Sequence, residues 1–206
     1  MEDALSLPRP LSGQLTVIAR AVSDILSPAA LAVPCMLLGV LASDVPGTYR
    51  FALMYFLVAI PLPVAYVLWL LKTGRVTDFH LPNRRDRTGP FLVSIAAALG
   101  AAALLYKFGA PAIFLAPVVM ALVQTSVLFL ITLAWQISIH TATTTALVTF
   151  AVLALGSGAS ILAFLVPLVM WARIYLGRHT PAQAVAGSLL GCGSFAALFA
   201  LRGIVW

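Results

Sequence analysis

The sequence predicts an all-α protein, a polytopic transmembrane bundle of about six to seven spanning helices. Of its 206 residues, 62% are hydrophobic and only 9% are charged. The mean hydropathy is +1.07. A soluble domain is about half apolar and a quarter charged, so this composition excludes an ordinary cytosolic enzyme, a disordered tail and a nucleic-acid-binding module. We expect one membrane domain over 1–206.

Long apolar stretches, separated by short turn segments, define the expected helices. A spanning helix needs about 20 mainly apolar residues, within a range of about 17 to 25. Seven stretches fit, with turns at 44–47, 109–111 and 156–158. The predicted spans are 22–43, 51–71, 91–107, 111–135, 139–156, 158–175 and 181–204. Prolines inside these spans predict kinks at Pro28, Pro34, Pro61, Pro63 and Pro167.

The N-terminal segment is too polar to cross a bilayer. It opens with acidic residues and prolines rather than in the basic-then-apolar order of a cleavable signal peptide, so we expect it to remain in the mature chain. The sequence therefore predicts that 1–20 lies along the membrane interface.

Three polar segments interrupt the apolar sequence and hold all the histidines. The first, 72–89, is the densest in charge and contains His80; the second is 136–140, ending at His140; the third is 173–179, ending at His179. Two predicted spans separate each segment from the next. Because each span moves the chain to the opposite face, all three segments are expected at one membrane face.

Arginine beside histidine is typical of phosphoryl chemistry. The planar guanidinium group fits phosphate oxygens, and an imidazole can act as nucleophile, acid or base near neutral pH. The net charge of +6 lies in short breaks between apolar runs, which favours phosphate-bearing lipids over nucleic acid as partners. The polar segments contain only Asp78 and Asp86 as carboxylates, each near arginines, so we expect neither a metal site nor a cofactor.

The residues at these segments resemble the type 2 phosphatidic acid phosphatase superfamily, whose motifs are KxxxxxxRP, PSGH and SRxxxxxHxxxD. The third motif is matched at Arg173 and, after five residues, His179, with Ala172 for Ser and Gln183 for Asp. The second is matched at Ser138 and His140 without its Pro and Gly. The first is matched at Arg87, with His80 for Lys and Thr88 for Pro. The resemblance covers 72–191.

This resemblance implies a metal-independent integral membrane phosphatase that acts on a lipid phosphate or a polyprenyl diphosphate. It implies that His179 attacks phosphorus and forms a phosphohistidine, and that His140 protonates the leaving oxygen. It further implies that Arg173 and Arg87 hold the phosphate.

The remaining candidate residues depart from the motifs or lie beside them. Ser138 is expected to hydrogen-bond a phosphate oxygen, and His80 or Arg84 to replace the missing Lys. Gln183 can accept a hydrogen bond from His179 but carries no charge. With Thr180 it also fits a helix-capping box, so it is expected either to cap the last helix or to orient the nucleophile.

Two other functions fit parts of the sequence. The segment 83–87 resembles a loop of intramembrane prenyltransferases, although their paired Asp-rich motifs are absent. A non-catalytic lipid-binding or transport protein is the second alternative, because the Lys and Asp of the motifs are missing.

Basic residues favour a cytoplasmic face for the site. With the N-terminus on the site face, that face carries nine basic residues, against three opposite at Arg50, Lys107 and Arg202. The nine are Arg9, Arg20, Lys72, Arg75, Arg84, Arg85, Arg87, Arg173 and Arg178. Setting aside the five arginines in or beside the motifs leaves four against three, so the excess comes largely from the site itself.

Overall fold

The structure is a computed structural model that describes residues 13–79, 81 and 83–200, except for the side chains of 198 and 199. Within these ranges every regular element is helical, which confirms the predicted all-α class there. The α-helices are α1 Gln14–Ile25, α2 Pro28–Leu41, α3 Tyr49–Ala59, α4 Pro61–Lys72, α5 Thr88–Lys107, α6 Ala112–Ala134, α7 Ile139–Leu155, α8 Leu165–Tyr175 and α9 Pro181–Ala200. Short 3₁₀ segments, Arg85–Arg87 and Ser157–Phe164, precede α5 and α8.

Several helices are apolar and long enough to cross a membrane. Among the described residues there are 4 such helices, or up to 5 if the bent pair α1 and α2 forms one span. The four are Tyr49–Lys72, Arg85–Lys107, Ala112–Ala134 and Ser157–Tyr175. They overlap four of the predicted spans, whereas α7, which matches the predicted span 139–156, has only 17 residues. The count of six to seven spans therefore stays a prediction.

The first expected span, 22–43, is broken in the structure. α1 and α2 meet at a bend of 50°. Pro28 disfavours helical geometry at the preceding residue, and Ser27 is accordingly extended, with φ −74° and ψ 151°. The Ser27 hydroxyl then accepts a hydrogen bond from the backbone N–H of Ala30, at 3.4 Å, and so caps α2.

α1 occupies the end of the segment predicted to be interfacial, of which 1–12 lies outside the described residues. It packs against α8 with a face of small and polar residues, Thr16, Ala19 and Ser23. Apolar residues of the same helix point away from the protein: Leu15, Val17, Ile18 and Ile25. This distribution is typical of a helix whose outer face lies in lipid headgroups and acyl chains.

α7 and α9 are packed so closely that their backbones nearly touch. A Cβ atom added to Gly191 would overlap the carbonyl oxygen of Ala142, and one added to Gly187 would overlap that of Ser138. The Thr141 hydroxyl donates to the carbonyl oxygen of Ala184 at 2.9 Å, across the same interface. Small residues four apart allow this approach in membrane proteins. The contact fixes the start of α9 beside the start of α7.

Replacing Gly191 with alanine should weaken this contact. The new methyl group would overlap a backbone carbonyl that cannot rotate away, so we expect a loss of about 1–3 kcal/mol in the free energy of unfolding. Gly193→Ala is the matched control, because a Cβ there has nothing within 4 Å. Thermal unfolding of the detergent-solubilised protein should show a lower Tm for Gly191→Ala and no loss for Gly193→Ala. Equal shifts would contradict the packing described.

Candidate active site

The three polar segments meet at one end of a cavity inside the helical bundle. The cavity has a volume of about 370 Å³. Arg87, His140, Arg173 and His179 line it together, so residues from all three segments face one space. The rest of its wall is largely apolar, with residues such as Met36, Val67, Ala98, Val118 and Phe195. The cavity thus has a cationic end and an apolar extension.

The end of α8 determines where His179 lies. Gly177 is in the left-handed conformation, with φ 64°, just after the helix. Its N–H donates to the carbonyl of Ile174 at 2.9 Å, and the N–H of Arg178 donates to that of Arg173 at 3.0 Å. This is the Schellman arrangement of a helix C-terminus. Because the N–H of His179 also donates to the Arg173 carbonyl, at 3.3 Å, the turn holds His179 next to Arg173.

His179 is buried, with 7% of its surface exposed, and is held as a neutral imidazole. Its Nδ1 lies 3.3 Å from the Oε1 of Gln183, and the ring also hydrogen-bonds the backbone of Gln136. Burial, and then the charges of Arg173 and Arg87, lower the pKa of His179 from 6.5 to about 4, against the opposing effect of both hydrogen bonds.

The low pKa of His179 makes the stability of the folded protein depend on pH. Between about pH 4 and pH 6.5 the unfolded chain binds more protons at this position than the folded protein does. The stability associated with neutral His179 is therefore complete above about pH 6.5 and is lost as the pH falls towards 4.

Gln183 makes both contacts that the sequence predicted, the cap of the last helix and the hydrogen bond to His179. Its Oε1 accepts from the N–H of Thr180 at 3.0 Å, while its own N–H donates to the Thr180 hydroxyl at 3.3 Å. This reciprocal pair is a capping box at the start of α9. The same Oε1 contacts Nδ1 of His179, so one amide oxygen both caps the helix and orients the imidazole.

The two arginines that line the cavity are both buried. Arg173 is 2% exposed, and its Nη1 donates to the hydroxyl of Ser23 on α1 at 2.8 Å. Arg87 donates from Nε to the carbonyl of Leu81 at 2.8 Å, and Leu81 adopts a left-handed φ of 48°. Among the described residues, the buried Nε of Arg173 has no hydrogen-bond acceptor. That guanidinium group therefore retains a donor for an anion.

Further charges surround this end of the cavity. Arg178 forms an ion pair with Asp78, with Nη2 and Oδ2 2.9 Å apart. The charge of Arg178 acts on both Arg87 and Arg173, and Asp24 and Asp78 act on Arg173 with the opposite sign. The ion pair joins the loop after α4 to the loop before α9.

Other predicted site residues take different positions. Ser138 is fully buried as the cap of α7: its hydroxyl accepts from the N–H of Thr141 at 3.4 Å, and its own N–H donates to the Gln183 carbonyl at 3.2 Å. It does not line the cavity. Arg84 is exposed and donates to the carbonyl of Ala134 at the end of α6. His80 lies outside the described residues.

The structure also adds residues that the motifs did not indicate. Ser23 and Asp24 come from α1, far from the polar segments in sequence, and nothing in the sequence linked them to Arg173. Arg178 and Asp78 lie within those segments. Arg178 could have been identified from its position directly before His179. No group of three or more His, Cys, Asp or Glu residues in the described part of the chain is arranged to hold a metal ion.

Comparisons of this chain with protein-family models, with curated proteins and with solved structures found no match. The likeness to the type 2 phosphatidic acid phosphatase superfamily therefore depends on the three sequence motifs.

Ser23→Ala should destabilise the protein, because it removes the acceptor of a buried guanidinium N–H. We expect a loss of about 1–3 kcal/mol in the free energy of unfolding. Thr16→Val is the matched control on the same face of α1, since the Thr16 hydroxyl is buried without a partner among the described residues. Thermal unfolding should give a lower Tm for Ser23→Ala and an unchanged or higher Tm for Thr16→Val. A loss confined to Thr16→Val would contradict the contact.

Proposed function

We propose that this protein is an integral membrane phosphatase that hydrolyses a lipid phosphate or diphosphate through a phosphohistidine at His179. The observation that carries the proposal is the meeting of Arg87, Arg173, His140 and His179 at one end of a largely apolar cavity. An amphiphile with a phosphate headgroup matches both parts of this space. A soluble phosphate ester would leave the apolar part unused.

The two buried arginines, Arg87 and Arg173, recognise the phosphate group. A guanidinium group binds phosphate oxygens through a planar set of N–H donors. The Nε of Arg173, which has no acceptor among the described residues, supplies one such donor. Binding an anion between Arg87 and Arg173 offsets their mutual repulsion, and the same charges stabilise the transferring phosphoryl group.

His179 is suited to nucleophilic attack because it is neutral at physiological pH. In the reacting tautomer Nδ1–H donates to Gln183 and the lone pair lies on Nε2, so Nε2 does not at the same time donate to the Gln136 backbone. Nε2 attacks phosphorus, the bond to the leaving oxygen breaks, and that oxygen takes the electron pair. His140 donates a proton to it. Water then attacks the phosphohistidine with His140 as base, the P–N bond breaks, and inorganic phosphate leaves.

A non-catalytic lipid phosphate-binding protein is the second candidate. It is favoured by Gln183, which contacts the His179 ring where the superfamily motif has a carboxylate. An amide orients the ring but adds no negative charge to stabilise the cation formed on attack. Binding without turnover would support this second function.

His179→Ala should abolish phosphate release and the acid-labile phosphoenzyme together, because both require its ring nitrogen. The assay incubates the purified full chain in mixed micelles with a radiolabelled single-chain lipid phosphate, with and without EDTA. Wild-type activity should survive EDTA. Thr16→Val, remote from the cavity lining, serves as an active control. Turnover that persists in His179→Ala, or is fully lost with EDTA, would reject the mechanism.

Substitutions of Gln183 separate its capping role from its role at the imidazole. Gln183→Ala should lower the free energy of unfolding by about 0.5–2 kcal/mol through the lost cap. It should also lower kcat about 10 to 100-fold through the lost orientation of His179. Gln183→Glu is nearly isosteric and places a carboxylate near Nδ1, so kcat should rise, as it should for Gln183→Asp. Unchanged kcat in all three variants would leave Gln183 as a cap alone.

A further inference from the structure

A polar side chain lies deep in the apolar extension of the cavity. Gln124 of α6 lines the cavity and is only 5% exposed. Its Oε1 is buried and has no hydrogen-bond partner among the described residues. A buried amide without a partner costs about 1–3 kcal/mol, and polar residues inside membrane spans are commonly functional.

Two hydroxyl groups of the cavity wall are bonded within their own helices. Ser94 of α5 donates to the carbonyl of Pro90 at 2.8 Å, and Thr143 of α7 donates to that of Ile139 at 3.0 Å. Each proton is therefore used within its own helix. Because Oε1 has no donor among the described residues, a molecule in the cavity can supply one.

The length of α6 gives the depth of this amide. Gln124 lies ten residues before Ala134, the last residue of α6, and Ala98, which lines the same cavity, lies ten residues after Thr88, the first residue of α5. At 1.5 Å per helical residue, both distances are about 15 Å. Both helix ends adjoin the cationic end, with Arg87 directly before α5 and Gln136 of the His179 contact just after α6.

We propose that Gln124 is a second binding subsite, which accepts a hydrogen bond from a hydroxyl group on the lipid chain of the substrate. The hydroxyl would lie about 15 Å from the phosphorus atom. The substrate class is then a lipid phosphate with a hydroxylated chain. This inference rests on the proposed function for the phosphate end only. Gln124 itself makes no contact with the reacting atoms and acts as a specificity residue.

The test uses single-chain alkyl phosphates in which one hydroxyl is moved stepwise along the chain. Binding to the full-length protein is measured by calorimetry in detergent, and hydrolysis by phosphate release. Wild type should prefer the compound with its hydroxyl about 15 Å from phosphorus over the unsubstituted chain, by on the order of tenfold in Kd and in kcat/KM.

Gln124→Leu should remove or reverse this preference, because a leucine favours the unsubstituted chain. Thr143→Val is the matched control. It removes a hydroxyl of the cavity wall that is already bonded to its own helix, and it should keep the preference.

If wild type binds all the compounds equally, or if the preference is unchanged in Gln124→Leu, the subsite is overturned. Hydrolysis of the compounds would then still support the phosphatase. If no compound is hydrolysed but the binding preference still depends on Gln124, the subsite stands and the phosphatase function falls.

Discussion

The site depends on the close approach of α7 and α9. Because Gly187 and Gly191 have no side chain, α9 lies against the backbone of Ser138 and Ala142. That approach allows the N–H of Ser138 to reach the carbonyl of Gln183, which joins the N-terminal ends of the two helices. His140 and His179, 39 residues apart in sequence, therefore face one cavity.

The turn at the end of α8 also positions His179, in addition to the packing of α7 against α9. In the Schellman turn that ends α8, the N–H of Arg178, the sixth residue, donates to the carbonyl of Arg173, and the N–H of the next residue, His179, donates to the same carbonyl. The spacing between Arg173 and His179 therefore also suits the turn that ends α8. A residue with a Cβ at Gly177 would have to adopt the strained left-handed region, and a change of this turn would move His179.

Sequence patterns predicted the helical class and the turns, because periodic apolar runs and helix-end signals are local. The motif spacings also singled out all four Arg and His residues that line the cavity, which are Arg87, His140, Arg173 and His179. These patterns did not predict contacts made between distant helices. Ser23 approaches Arg173 only because Pro28 bends the chain and lays α1 on α8. Arg84 was expected at the phosphate, yet it is exposed and donates to the carbonyl of Ala134 at the end of α6. Gln124 stood within a predicted span, in the short polar stretch 124–126, and this pattern gives no information on which side chains share a cavity.

The burial of two guanidinium groups, those of Arg87 and Arg173, destabilises a small protein. Each charge loses hydration on burial, and Arg87 and Arg173 repel each other as well as Arg178. The hydrogen bonds that Arg173 and Arg87 donate to Ser23 and Leu81 offset only part of this cost, since each satisfies one N–H of a group that has five. Such an arrangement is favourable when an anion supplies the remaining acceptors, and a bound ligand stabilises the folded state in proportion to its occupancy. The same buried arginines that destabilise the unliganded protein would therefore favour the binding of an anion.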